Sequence, residues 1–259
     1  MKTSRLALLR NALVVCGLLL SGAIPAEAQR RGGGNRQQSF GPNVPYDGRF
    51  AYVRIRYEIP MDGFRQDIKW AHDYPRGEQH FAKIMSELSS IRTWTTGSVI
   101  LTLDDPQLTH YPVLFLTEPG FWRPNEQEIL GLRNYLTKGG FAIFDDFAGE
   151  HWMNFEEQIR KVFPKLRPIE LTLNHPLFDT FYKIKTLDMD HPYYGRGFRS
   201  VFYGLFEDND PKKRLMAVIN YNNDISEYWE FSDTGMFPMD ASNEAYRIGV
   251  NYIIYSLTR

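Results

Sequence analysis

Residues 111–144 contain two short apolar runs separated by one amphipathic helix, and this order limits the fold more than any other feature of the chain. The runs are YPVLFLT (111–117) and FAIF (141–144), and between them Ile129, Leu132 and Leu136 have helical spacing. Continuous apolar runs are typical of parallel strands that are covered on both faces. The segment therefore predicts a strand–helix–strand unit within a parallel sheet.

Both ends of this helix carry recognisable signals. Asn125 can cap the first turn, which contains Glu126 and Glu128. Lys138 lies in the last turn, and two glycines follow it. Acidic residues first, a basic residue last and glycine beyond fit the helix dipole and a left-handed C-terminal cap. The helix is predicted over residues 126–138.

The same alternation of strands and helices continues on either side of this unit. Residues 50–59 alternate with period two and predict a first strand. Further strands are predicted over 98–103 and 214–220, and further helices over 78–91, over 151–163 and from 242 to 257. This order predicts an α/β three-layer sandwich, with a doubly wound, mostly parallel sheet, as one domain over residues 49–259.

The first 48 residues predict an export signal and a tether. A basic start, the apolar run ALVVCGLLLSGA and the small-x-small site Ala26-Glu27-Ala28 are typical of a secretory signal peptide cleaved after Ala28. Residues 29–48 are rich in Gly, Arg, Gln and Pro and favour a flexible linker. We therefore expect a periplasmic or extracellular protein that does not span a membrane after cleavage.

Composition excludes several classes of function. Without residues 1–28 the chain has 27 basic and 30 acidic residues, a net charge of −3. The chain thus lacks the surplus of basic residues that would indicate nucleic-acid binding. The single cysteine, Cys16, leaves with the signal peptide. The mature chain therefore has no disulfide, no thiolate metal ligand and no cysteine nucleophile.

Two adjacent carboxylates, Asp145 and Asp146, follow the FAIF strand and are the candidate catalytic residues. Ligands of doubly wound sheets bind beyond the carboxyl ends of the strands, where these acids lie. Aspartate is also common after strands as a cap for the next helix. Because neighbouring side chains point in different directions, we expect at least one of the pair to be structural.

Other polar and aromatic residues follow the predicted strands and are expected near the same edge of the sheet. Arg65 and His72 lie in the loop after the first strand. For His151, His175 and the Asn-Asn-Asp run after the 214–220 strand, an ordinary cap or turn is an open alternative. The candidate ligand-binding residues are Arg56, Trp70, Asp73, Glu118, His151, His175, Asn223 and Asp224.

No motif in the sequence assigns a metal or a cofactor. The run Asp188-Met189-Asp190-His191 could hold a hard cation, but a polar loop is the better interpretation because no second cluster accompanies it. The chain has no G-x-S-x-G elbow, no Walker loop and no G-x-G-x-x-G. This argues against a serine hydrolase, a P-loop NTPase and a dinucleotide enzyme.

The chain contains FAYVRIRYE, a following W-x-x-D-x-P, the stretch from YPVLFLTEPGFW to KGGFAIFDD, HPLFDTF and a late NND followed by Trp. Together these segments resemble a bacterial family of unknown function, numbered 4159. The resemblance covers nearly all of residues 50–258. It implies a flavodoxin-type sandwich related to the class I glutamine amidotransferase-like group.

In that wider group the strand after a similar helix ends in a tight elbow that carries a nucleophilic cysteine. The resemblance places this position at or next to Asp146. Since the mature chain has no cysteine, thioester chemistry on glutamine is excluded.

The sequence leaves two functions open. The first is an exported, non-enzymatic module that binds an envelope protein or glycan through the strand-end cleft. The second is a hydrolase acting on an envelope carbohydrate or peptide, with Asp145 and Asp146 as acid–base groups or metal ligands. Shifted carboxylate pKa values in a closed site would favour the second.

Overall fold

The computed structural model of the protein describes residues 39–59, 67–195 and 197–259. The predicted signal peptide, the first half of the predicted linker (residues 29–38) and Arg65 lie outside these residues. The strands are β1 (Val53–Ile55), β2 (Val99–Leu101), β3 (Val113–Thr117), β4 (Phe141–Phe147), β5 (Ile169–Glu170), β6 (Val201–Phe206) and β7 (Leu215–Tyr221). The α-helices are α1 (Arg76–Leu88), α2 (Glu126–Thr137), α3 (His151–Val162), α4 (Ile225–Glu230) and α5 (Met239–Thr258).

The described strands form one sheet in the order β2-β1-β3-β4-β7-β6-β5. The pairs from β2 to β7 are parallel, whereas β6 runs antiparallel to β7 and β5 runs antiparallel to β6. The prediction of an α/β fold with a mostly parallel sheet is confirmed. The strands β5 and β6 and the helix α4 were not predicted.

Helices cover the sheet on two faces, because successive residues of its central strands point to opposite sides. In β4, Ile143 joins a large buried cluster that includes Phe81 of α1 and Ile253 of α5. The next residue, Phe144, packs on Phe155 of α3 with ring centroids 5.1 Å apart. The sheet is therefore the middle layer of a sandwich. Among the described helices, none has both the length and the apolar character needed to cross a membrane.

Residues 41–48, which fall within the predicted linker, make contacts with the rest of the domain. The side-chain amide of Asn43 donates to the carbonyl of Ile100 at 3.1 Å, and its oxygen accepts from the Ile100 N–H at 2.8 Å. Val44 donates to the carbonyl of Ser98. The edge strand β2 thus has backbone groups satisfied by a side chain, as exposed sheet edges require.

Helix α2 begins with the predicted cap. The side chain of Asn125 accepts a hydrogen bond from the Glu128 N–H at 3.0 Å, and Glu128 in turn accepts from the Asn125 N–H at 2.9 Å. This reciprocal pair is a capping box. Two other helices begin earlier than predicted, α1 at Arg76 rather than residue 78 and α5 at Met239 rather than residue 242.

Removing this cap should destabilise the protein modestly. We expect Asn125→Ala to lower the free energy of unfolding by about 1 kcal/mol, because the Glu128 N–H loses its acceptor. Urea unfolding followed by circular dichroism measures the change. The control variant Asn125→Ser keeps an acceptor and should stay within a few tenths of a kcal/mol of the wild type. Equal losses in the two variants would contradict the capping role.

Candidate functional site

The carboxyl ends of β3, β4 and β7 meet at one edge of the sheet, where the chain takes unusual backbone conformations. Four non-glycine residues there have positive φ angles, Asp73 at 64°, Glu118 at 48°, Asp146 at 64° and Asn222 at 56°. Such angles are uncommon outside glycine and tend to occur at functional sites. The register between β4 and β7 shifts between Phe144 and Phe147, a stretch that contains Asp146 and is interrupted in its pairing, as at a β-bulge.

One group of side chains at this edge surrounds an imidazole. The Nδ1 atom of His72 lies 2.8 Å from Glu118 Oε1 and 3.5 Å from Asp146 Oδ2. Its Nε2 atom lies 2.8 Å from Asp67 Oδ1. Lys69 Nζ lies 3.3 Å from Glu118 Oε1. The imidazole is therefore held between three carboxylates.

These contacts fix the charge of His72 and leave Asp146 easy to protonate. Burial lowers the pKa of His72, but hydrogen bonds with Asp146, Asp67 and Glu118 outweigh it and raise this pKa to about 12. Burial raises the pKa of Asp146 to about 7, with His72 opposing and the Asp73 and Glu118 charges adding to the rise. At neutral pH the imidazole is a cation, and the Asp146 carboxyl is divided between its two forms.

A second group consists of carboxylates alone and contains Asp73, Asp146 and Asp224. Asp73 is 6% exposed, and neither of its carboxylate oxygens has a hydrogen-bond partner. Asp224 is 1% exposed and accepts from the Glu227 N–H at 3.0 Å. Burial raises the pKa of Asp224 well above its usual range, and the charges of Asp146 and Asp73 raise it further. Among the described residues, His72 pairs with Asp146, but no ion pair is formed by Asp73 or Asp224.

A third group extends the cluster onto helix α4 and contains Asp73, Glu227 and Glu230. Burial and the nearby Asp73 carboxylate raise the pKa of Glu227 to about 9. The hydroxyl of Tyr193 donates a hydrogen bond to Glu227. Asp224, Glu227 and Glu230 have helical spacing in the sequence, which is the signal by which the last two could have been found.

Asp145, the neighbour of Asp146, faces the protein interior instead. It is 5% exposed and accepts hydrogen bonds from the Asn220 amide at 2.9 Å, the Ile225 N–H at 3.2 Å and both the N–H and the hydroxyl of Ser226 at 2.9 Å. Burial raises the pKa of Asp145, and these donors oppose the rise. Asp145 thus fixes the start of α4, and through it Asp224, rather than facing the cluster.

A buried ion pair holds the loop that carries His72 and Asp73. Arg54 of β1 is fully buried, and its Nη2 lies 2.5 Å from Glu78 Oε2. Its Nη1 donates to the carbonyls of Trp70 at 3.0 Å and His72 at 2.8 Å. Sequence reasoning missed this role, although a charged residue within an otherwise buried strand is a signal for it.

The other turn at this edge is fixed by a tyrosine. The hydroxyl of Tyr57, a buried residue directly after β1, lies 2.9 Å from the carbonyl of Thr117 and 2.7 Å from that of Glu118. This contact helps to hold Glu118 in its left-handed conformation at the end of β3.

Five of the predicted ligand-binding residues contribute no side chain to the three groups. Arg56 is exposed, and its N–H donates to the carbonyl of Leu101. Trp70 is buried and contributes its carbonyl to Arg54. His151 packs edge-on to Phe121.

The remaining two have structural contacts of their own. His175 caps a short 3₁₀ turn, and burial lowers its pKa. Asn223 is fully buried, and its side-chain oxygen accepts from the Asp224 N–H at 2.8 Å. By contrast, Asp73, Glu118, Asp146 and Asp224 all lie in the cluster.

The Asp-Met-Asp-His run forms no three-ligand group among the described residues. The ring of His191 is buried, and its Nδ1 accepts from the Tyr193 N–H at 3.2 Å. Burial lowers its pKa to about 4, so the ring is neutral. This segment is a loop that brings Tyr193 to the acidic cluster.

Fold and site together define an α/β protein with a dense acidic cluster at the carboxyl edge of its parallel strands. The chain belongs to the family described as a domain of unknown function, DUF4159, whose model matches residues 49–257. No curated protein matches the chain.

Proposed function

We propose that this protein is a hydrolase whose active site is the acidic cluster at the strand ends, with Asp146 as its acid–base residue. The observation that carries the proposal is the state of Asp146. Its pKa of about 7 lets it exchange a proton at neutral pH, and its Oδ2 atom meets His72 Nδ1 at 3.5 Å, at the outer limit of a hydrogen bond. Its side chain is 13% exposed, and of its two carboxylate oxygens Oδ2 is buried. General acid–base catalysis needs such a carboxyl.

In the proposed reaction, Asp146 transfers a proton during hydrolysis and the surrounding cations stabilise charge. As a water oxygen bonds to the substrate carbon, Asp146 takes the proton of that water. It returns the proton to the leaving group when the bond to that group breaks. Charged His72, 3.5 Å away, and Lys69 beside Glu118 would stabilise the negative charge that develops on the substrate.

The sheet order supports the proposed relationship to the amidotransferase-like scaffold. The parallel strands β2-β1-β3-β4-β7 follow the order found in flavodoxin-like folds. Asp146 lies next to the last residue of β4 and has a left-handed conformation, as a residue on a tight elbow would. On such a scaffold an aspartate would replace the nucleophile, which changes the chemistry from thioester formation to activation of water.

The proposed substrate is a carbohydrate or peptide of the cell envelope. The support comes from the sequence, since residues 1–28 have the pattern of a secretory signal, and an exported protein meets these polymers first. This segment lies outside the described residues.

The test compares the wild type with Asp146→Asn on envelope glycan fragments and on peptides. We expect hydrolysis by the wild type to rise between pH 5 and pH 8 with an apparent pKa near 7, because Asp146 must lose its proton to act as a base. Asp146→Asn should reduce the rate by about 10²–10⁴-fold. The control Asp208→Asn changes an exposed aspartate that pairs with Lys213 and should leave the rate unchanged. Equal rates for Asp146→Asn and the wild type would contradict the proposal.

A second candidate, the exported binding module, is favoured by a groove that lies apart from the cluster. It has a volume of about 870 Å³ and runs between the 185–199 loop and the start of α5, lined in part by Met189, Phe198, Tyr228 and Phe237. Aromatic grooves suit polymeric ligands. A glycan fragment that binds wild type and Asp146→Asn equally and is not cleaved would support this function.

A further inference from the structure

We infer that the same cluster holds a hard divalent cation between Asp73, Asp146 and Asp224. This inference rests on the proposed active site and concerns how its water is activated. A water bound to a cation loses its proton more readily.

The strongest evidence for a cation comes from Asp73. Asp73 is only 6% exposed, and both of its carboxylate oxygens lack a hydrogen-bond partner. A buried carboxylate without a donor or counter-charge is strongly unfavourable. Among the described residues, no Lys, Arg or His forms an ion pair with Asp73 or Asp224. Lys69 lies beside Glu118, and His72 lies between Glu118 and Asp146.

The alternative partner of Asp73 is a proton. Glu227 lies in the same cluster and could donate to Asp73 when it is protonated. This arrangement would satisfy one oxygen of Asp73 and leave Asp224 beside the same carboxylates. A divalent cation can contact all three aspartates at once, so it neutralises the group more completely than one proton.

The spacing of the acids fits a cation of this class. One oxygen from each of Asp73, Asp146 and Asp224 lies within 4.8 Å of the others. Oxygens on opposite sides of Ca²⁺ are about 4.6–5.2 Å apart, and those around Mg²⁺ are about 4.0–4.2 Å apart at most. Three oxygens within this limit are compact enough to surround either ion. Three carboxylates with remaining positions for water are typical of both ions.

Backbone conformation and hydrogen bonds also hold the three aspartates in place. Asp73 and Asp146 both have φ of 64°, and Asp224 is fixed by its hydrogen bond to the Glu227 N–H. Arg54 holds the carbonyl of His72, which precedes Asp73. The ligands come from three separate segments, each of which is anchored independently of the cation.

The experiment is calorimetric titration of the EDTA-treated, dialysed full chain with Ca²⁺, Mg²⁺ and Mn²⁺, together with thermal unfolding. We expect one cation per chain and a rise in Tm of about 5–10 °C at 100 times the Kd. Asp73→Asn should weaken binding by at least about 100-fold. This variant should fold, because asparagine tolerates positive φ and carries no charge to bury. The control Asp208→Asn should bind as the wild type does.

The outcomes separate this inference from the proposed function. No heat and no Tm shift with any of the three ions would overturn the cation site, as would equal binding by Asp73→Asn. Hydrolysis that persists in EDTA would also overturn it while leaving the proposed hydrolase intact. Cation binding that Asp73→Asn abolishes, in a protein that cleaves no substrate, would support the site and count against the hydrolase.

Discussion

Arg54→Met is expected to lower the free energy of unfolding by about 3–5 kcal/mol, the cost of leaving one member of a buried ion pair without its partner. The substitution leaves the Glu78 carboxylate buried with only the hydroxyl of Ser98 as a donor among the contacts described. It also removes the donors to the carbonyls of Trp70 and His72. Urea unfolding at neutral pH measures the loss, and cation binding by the folded variant should weaken because Asp73 follows the released carbonyl.

Two further variants distinguish charge from shape at this position. Arg54→Lys keeps the positive charge but loses the planar fork that reaches Glu78, Thr117 and the two carbonyls, so an intermediate loss is expected. The double variant Arg54→Met with Glu78→Leu removes both charges and should be more stable than Arg54→Met alone. An Arg54→Met variant as stable as the wild type would show that the Arg54–Glu78 ion pair does not stabilise the loop that carries His72 and Asp73.

Much of the fold follows from local patterns in the sequence, because those patterns act over short distances. The cap, the acidic first turn and the terminal glycines of helix α2 all lie within one segment. The two apolar runs that flank this helix are close in sequence and pair directly as parallel strands, so the pattern of the segment alone predicts them. The antiparallel strand β6 lacks such a signal. Its partner β7 follows through a short polar connection that contains no α-helix, so the alternation that identifies the other strands is absent there.

The acidic cluster was predictable only in part. Asp73, Glu118, Asp146 and Asp224 each follow a strand, and the rule that parallel strands present their carboxyl ends together brings them to one edge. Glu227 joins the cluster through the position of α4, and that position depends on Asp145 reaching across from β4. His175, by contrast, follows no parallel strand. It caps the 3₁₀ turn Pro176–Asp179, and its ring lies against the rings of Phe206 and Tyr255.

Glu227→Gln is expected to stabilise the cation-free protein at neutral and alkaline pH, which tests the charge of the cluster directly. The pKa of Glu227 is about 9 in the folded protein against an ordinary value of 4.5, so between pH 5 and pH 8 the folded chain keeps a proton that the unfolded chain has lost. Unfolding then releases that proton, and stability falls as pH rises, by up to about 1.4 kcal/mol per pH unit. Glutamine cannot ionise, and its carbonyl can still accept the hydrogen bond from Tyr193.

The measurement is urea unfolding in EDTA at pH 5, 6, 7 and 8, with the two proteins compared at each pH. The difference should be smallest at pH 5 and grow by at most about 4 kcal/mol by pH 8, because three pH units separate the ends of the series. His72, whose pKa is also raised in the folded state, loses stability in the same direction above pH 6.5, but it does so in both proteins and is removed by the comparison. Glu157→Gln, at an exposed position on α3, should follow the wild type throughout. Parallel pH profiles for Glu227→Gln and the wild type would mean that Glu227 is ionised in the folded protein. The carboxylates around Asp73 would then need their positive charge from a bound cation even more strongly.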